Sequence, residues 1–192
     1  MNAAWPVMAP RMEPDVVRHM IETKRLLIKP LSYNELKMYA TSADELAKVL
    51  GLNTTGALMD EVTQNAIVDD LLPHLSDPDK DSLFYTMWII IEKTKKVIVG
   101  GICFHGEPDA NGEVEIGYGT DEAFQNKGYM TETLNGMIEW SQNNKKIKTL
   151  KAETDRTNIS SIKVLERNRF KLVEQTGHSV IMKLELMKWV PS

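Results

Sequence analysis

At 192 residues the chain suits one domain, and 42% hydrophobic residues supply a sizeable core. A net charge of −4 leaves no broad basic footprint for nucleic acid or an anionic membrane surface, and no apolar run approaches the length of a membrane-spanning helix. Cys103 is the only cysteine, so no internal disulfide forms and a reducing cytoplasm is the simplest compartment.

In chain order, residues 1–20 contain Pro6, Pro10 and Pro14, show no apolar period, and lack the charged start and continuous apolar core of a signal peptide. They read as a flexible or loosely docked arm ahead of one domain over residues 21–188, with residues 189–192 as a tail. Arg25 to Leu31 reads as a first strand ended by Pro30. Ser32 can cap the next helix, with Glu35 completing a capping box. Leu36, Tyr39, Leu46, Val49 and Leu50 point to one or two short helices, and a further helix runs from about Asp60 to Leu72, stopping near Pro73. Ser82 to Glu92 and Val97 to Phe104 flank Lys93-Thr94-Lys95-Lys96 as an antiparallel hairpin. Cys103 sits inside the second of these strands, where a thiol is usually a small core residue.

From Glu113 the residues alternate. Glu113, Glu115 and Gly117 point one way and Val114, Ile116 and Tyr118 the other, as a half-buried strand requires. From Met130 the apolar positions become Met130, Leu134, Met137 and Ile138, one face of an amphipathic helix. Between them Gln125-Asn126-Lys127-Gly128-Tyr129-Met130 opens that helix. A helix start carries unpaired N–H groups and partial positive charge, so it suits a phosphate; Gly128 keeps no side chain in the way and Lys127 adds a charge. A strand, a loop and a helix also occur together in proteins that bind no phosphate. No Walker sequence is present, and Gly117-Tyr118-Gly119 lacks the third glycine of a dinucleotide fingerprint. Thr149 to Thr154 is then a strand parallel to its predecessor, since a helix joins them. A helix from Asn158 and the strands Phe170 to Gln175 and Val180 to Met187 complete the pattern. His19, His74, His105 and His178 are scattered without metal-ligand spacing, so no metal is expected.

The run E-I-G-Y followed by Q-N-K-G-Y-M-T-E resembles the Q/R-x-x-G-x-G/A acetyl-CoA motif of the GNAT acetyltransferases. Asn158 to Phe170 resembles the N-x-x-S-x-x-V-L-x-x-N-G-F segment of the branch containing the RimJ and RimL N-terminal acetyltransferases of ribosomal proteins. The resemblance spans roughly Ile21 to Leu186. It implies an α/β (α+β) GNAT fold, a mixed, mostly antiparallel sheet of about seven strands with helices on both faces. It also implies acetyl-CoA as co-substrate, transfer in a ternary complex to a protein N-terminus or a small primary amine, and a monomer or homodimer. Met20 resembles the family's usual start.

Carried onto this sequence, the resemblance places backbone amides of Tyr118, Gly119 and Thr120 along the pantetheine arm. Those of Gln125, Asn126, Lys127, Gly128, Tyr129, Met130 and Thr131 fall around the diphosphate. Asn158 either bonds the pantetheine arm or caps its helix. Glu115 is the candidate base; the alternative is a strand carboxylate facing solvent or paired with a lysine. Many family members carry a tyrosine acid where this chain has Leu165, so Ser161 becomes the candidate donor to the departing thiolate, unless backbone satisfies its hydroxyl. Arg169 replaces a glycine, and Asn168 could take the left-handed helix end in its stead. His105, ending a strand beside the proposed site, is a lesser candidate for touching substrate. A non-catalytic acyl-CoA-binding module, or a partner subunit with a vestigial site, is the competing reading.

Overall fold

The computed structural model describes residues 19–187, so most of the expected arm and the tail lie outside the described residues. Its first elements are β1 (Ile21–Glu22) and β2 (Leu26–Pro30), followed by α1 (Tyr33–Thr41) and α2 (Ala43–Val49). The backbone N–H of Ser32 donates to Glu35 Oε2 at 2.9 Å, the return arm of the capping box. Next come α3 (Glu61–Ala66), a wide π turn (Ile67–Leu71) and α4 (Leu72–Leu75). Pro73 therefore does not end this helix. The π turn shifts the ladder so that Leu72 N bonds Ile67 O, and the helix then absorbs a residue that has no N–H to offer.

The hairpin is β3 (Met87–Glu92) and β4 (Val97–Phe104). Ser82–Phe84 is a 3₁₀ turn whose Leu83 N bonds Asp81 Oδ1, so the strand begins five residues later than its apolar composition predicts. Then follow β5 (Glu113–Thr120), α5 (Tyr129–Asn143), β6 (Thr149–Asp155), α6 (Ile159–Arg167), β7 (Lys171–Gln175) and β8 (Ser179–Glu185). The strands form one sheet of eight, ordered β1-β2-β3-β4-β5-β6-β8-β7. The strand beyond the expected seven is β1, two residues paired with β2 and too short to show a period. Only β5 and β6 pair in parallel.

β3 is buried along its whole length because both faces of the sheet are covered. Trp88, Ile102, Phe104, Val114 and Ile116 pack with Leu134 and Met137 of α5 and Leu165 of α6. Met87, Ile89, Ile91 and Ile98 pack on the other face with α1, α2 and the π turn. Gly100 lets β4 and β5 approach: a Cβ there would stand 2.2 Å from Gly119 O and 2.9 Å from Thr120 Cα.

At the end of α6 the left-handed conformation falls on Arg169 itself, with φ 67°, while Asn168 stays at φ −95°. Asn168 is held there because its Nδ2 donates to Val164 O at 2.9 Å and Thr131 O at 3.3 Å. Arg169→Gly is expected to raise stability by about 1 kcal/mol by relieving that strain. A urea midpoint that rises at unchanged slope would bear this out; an unmoved midpoint would mean that Arg169 is not strained.

Candidate active site

β5 and β6 hydrogen-bond only from Glu113 opposite Thr149 to Glu115 opposite Lys151. Beyond Glu115 the two strands part, and β5 continues to Thr120 with β4 on one side and an open edge on the other. An open edge presents unpaired N–H and C=O groups to any extended chain laid beside it. The gap widens into a cleft of about 550 Å³ on the α5/α6 face.

Tyr118, Gly119, Thr120, Gln125, Asn126, Gly128, Tyr129, Met130, Thr131, Asn158 and Ser161 all line this cleft. Gly128 is the N-cap of α5, at φ 75°. A Cβ there would touch only Arg25 Nη2, at 3.5 Å, so backbone conformation, not space, makes this position glycine. The first intrahelical bond is Glu132 N to Gly128 O at 3.2 Å, which leaves the N–H groups of Tyr129, Met130 and Thr131 for another acceptor.

A clamp between residues far apart in the chain fixes this helix start. Glu132 Oε1 accepts from Thr23 Oγ1 at 2.6 Å and Arg25 N at 2.7 Å, and Oε2 accepts from Arg25 Nε at 2.6 Å. Arg25 also donates to Lys127 O at 3.0 Å and lies 4.7 Å over the Tyr129 ring. Burial by itself would raise the Glu132 carboxyl; the bonds from Thr23 and Arg25 outweigh it and hold the group below the usual carboxylate range.

The Lys127 side chain turns back onto its own loop. Its Nζ donates to Ala123 O at 2.6 Å, stays 5.0 Å over the Phe124 ring, and is not part of the cleft wall. The cations on that wall are Lys163 and Arg167, four residues apart and so on one face of α6. That spacing was present in the sequence as a signal. Asn158 takes its capping alternative, its Oδ1 accepting from Ser161 N at 3.1 Å. Leu165 is fully buried in the core, so the place of the missing tyrosine is filled by packing.

The Ser161 hydroxyl is 2.9 Å from the Tyr118 hydroxyl. Burial pushes the Tyr118 phenol up, and the bond with Ser161 offsets this only in part, so the phenol stays protonated at neutral pH. The Tyr118 hydroxyl also donates to Ser161 O at 3.3 Å, so the two hydroxyl protons are shared among Tyr118 Oη, Ser161 Oγ and that carbonyl.

On the opposite face a second cavity of about 730 Å³ lies among α1, α3, the π turn and β5. It shares with the first only Gly117, Tyr118, Gly119 and Thr120. Gly117 and Gly119 carry no side chain toward this cavity, so the wall between the two is little more than strand backbone. His105 lines the cavity and rests on Gly117, where a Cβ would stand 2.6 Å from its Nε2. Glu115 lines neither cavity. Its Oε1 is 3.2 Å from His105 Nδ1 and its Oε2 accepts from Lys151 Nζ at 2.8 Å, so the lysine-paired alternative describes it and the imidazole stands between it and the cavity. Cys103 lines the same cavity, but burial pushes its thiol up to about 11, far from a thiolate at neutral pH. No group of His, Cys, Asp or Glu suited to a metal ion occurs among the described residues. No described helix is long and apolar enough to cross a membrane.

Two cavities thus flank a bare strand, one with an open strand edge and a helix start whose first N–H groups are unpaired, the other lined by His105 and Cys103. The chain belongs to the GNAT acetyltransferases, whose family signature, described as "Acetyltransferase (GNAT) domain", matches residues 25–171. It is 28% identical over 154 residues to "Uncharacterized N-acetyltransferase YjdG" of Bacillus subtilis (strain 168), covering 79% of this chain and 89% of that relative. The fold is similar to that of "RimL- Ribosomal L7/L12 alpha-N-protein acetyltransferase in complex with Coenzyme A", with TM-score 0.62 and 18% identity over 88% of this chain and 98% of that one. It is also similar to the ribosomal-protein-S5-alanine acetyltransferase from Vibrio fischeri, with TM-score 0.63 and 14% identity over 90% and 99%.

Proposed function

We propose that the protein transfers acetyl directly from acetyl-CoA to a primary amine, a protein N-terminus or a small molecule, with both substrates bound. The observation that carries this reading is the meeting of the two cavities along Gly117–Thr120 alone. The donor set fits acetyl-CoA: three unspent N–H groups at the start of α5, the cations Lys163 and Arg167, and an open strand edge for the amides of the pantetheine arm. The thioester supplies an activated acetyl group. In the transfer its carbon–sulfur bond breaks, a carbon–nitrogen bond forms, the amine loses a proton and the thiolate gains one.

The chain offers a group for each proton, one on each side of β5. On the acceptor side His105 Nε2 takes the amine proton, directly or through water, and Glu115 beside Nδ1 holds the ring in the tautomer that leaves Nε2 free. Glu115 thus acts as a positioning residue, one step further from the amine than a direct base. On the donor side the Tyr118–Ser161 pair protonates the thiolate. Tyr118 supplies the phenol that position 165 lacks, from a strand instead of a helix.

The test is thiol release from acetyl-CoA in the presence of a panel of primary amines, with acetylated product identified by mass. Amine-dependent release with matching product supports transfer. Acetyl-CoA binding with no amine consumed would leave a non-catalytic binding module as the better account.

A further inference from the structure

The cavity on the acceptor side carries Asp60, Asp70, Asp121 and Glu122 on its wall; the one basic side chain there is His105, and no lysine or arginine lines it among the described residues. Asp60 is engaged as a helix cap, accepting from Thr63 N at 2.8 Å, and Asp70 lies 3.1 Å from His74 Nδ1. The side chains of Asp121 and Glu122 make no hydrogen bond or ion pair among the described residues. Asp121 is partly buried, and burial with no cation beside it pushes its carboxyl above the usual range.

Acidic residues alone would be a solvated rim, but a second feature points to a ligand. Tyr39 lines the same cavity at 8% exposure, and its hydroxyl makes no hydrogen bond among the described residues. Burial pushes that phenol up, and the charges of Asp121 and then Asp60 add to the effect, so the hydroxyl feels both carboxylates. The ring is buried while the hydroxyl itself opens to the cavity, so the phenol presents its unpaired polar end to whatever the cavity holds. Leu58 and Val62, 95% and 79% exposed, add apolar surface on the same wall.

We propose that the acceptor is an aliphatic di- or polyamine. One amine is presented to β5 at Gly117 and Gly119, a second stays protonated against Asp121 and Tyr39, and the methylenes between them lie along Leu58 and Val62. An acceptor with a carboxylate would meet four like charges and no counter-ion. This inference rests on the acetyl-transfer reading and adds the class of acceptor to it.

1,5-Diaminopentane, pentylamine and 5-aminopentanoate offer a similar amine with a cationic, neutral or anionic far end. With the full chain and saturating acetyl-CoA, kcat/KM is expected to be about tenfold or more higher for the diamine than for pentylamine, as one charge-assisted contact provides, and lowest for the amino acid. Asp121→Asn is expected to remove the preference for the diamine and keep thermal protection by acetyl-CoA. The sign of its stability effect follows from the raised carboxyl: ionised Asp121 is disfavoured in the fold, so its favourable contribution is present in acid and lost as pH rises through the folded value. The variant therefore melts at or above the wild-type temperature at neutral pH, and the gain fades in acid.

Equal rates for the three compounds would overturn the assignment and leave acetyl transfer standing. So would faster acetylation of a peptide with aspartate at its second position than of the same peptide with lysine there. If nothing is acetylated, calorimetry in the presence of CoA decides. Tighter binding of the diamine than of the amino acid keeps the ligand class and overturns the transfer reading, and no diamine binding overturns both.

Discussion

Replacing His105 with alanine is expected to lower kcat by about 10²- to 10⁴-fold, the range that a positioned general base contributes. Affinity for acetyl-CoA should be unchanged, because His105 lines the cavity on one side of β5 and the α5 helix start lines the cleft on the other. The diagnostic is the pH profile with a weakly basic amine that is already neutral throughout the range. In the wild type the rate rises as the base loses its proton, and in the variant this limb disappears. Glu115→Gln keeps the shape of the side chain and removes the charge beside Nδ1, so it is expected to reduce kcat less than loss of the imidazole does. Gly117→Ala brings a methyl group to 2.6 Å from Nε2 and should displace the ring at small cost in stability, since a flexible side chain can yield. An unchanged profile in His105→Ala would remove the imidazole from the mechanism. A larger loss in Glu115→Gln than in His105→Ala would return the base to the carboxylate.

The second large effect is on cofactor binding. Acetyl-CoA at 100 times its dissociation constant should add about 2.7 kcal/mol to the stability of the wild type. For a chain of this length that is a rise in melting temperature of about 5–10 °C. Gly128→Glu should abolish the rise, because it puts a carboxylate at the helix start where the diphosphate is proposed to sit. Gly128→Ala separates charge from backbone strain. Both variants carry the cost of a side chain at φ 75°, about 1 kcal/mol, and the alanine makes only an ordinary contact with Arg25. The alanine variant should melt lower than wild type yet still respond to acetyl-CoA. Protection of Gly128→Glu equal to that of wild type would place the diphosphate elsewhere.

The sequence by itself determined the order of elements and the strand–loop–helix unit on which the proposed cofactor side is built. Period-2 alternation from Glu113 and period-3.6 spacing from Met130 are local properties, and the shift between them locates Gly128. The Ser32–Glu35 cap and the β3–β4 hairpin are legible for the same reason: their partners are close in the chain. What distance along the chain hides is the set of contacts that gives each side chain its chemistry. Glu132 and Arg25 are 107 residues apart, and no local pattern announces that one clamps the loop onto the other. Tyr118 and Ser161, 43 apart, meet because β5 and α6 flank the gap left where β5 and β6 part. Alternation puts Glu115 on the strand face shared with Gly117 and Gly119, but only the packed structure shows Lys151 and His105 taking its two oxygens. Tertiary structure also decided that Pro73 would be accommodated by a π turn and that Arg169 would take the left-handed position, since the hydrogen bonds of Asn168 hold it out of that conformation. Periodicity is set by neighbours in the chain, whereas charge state and reactivity are set by neighbours in space.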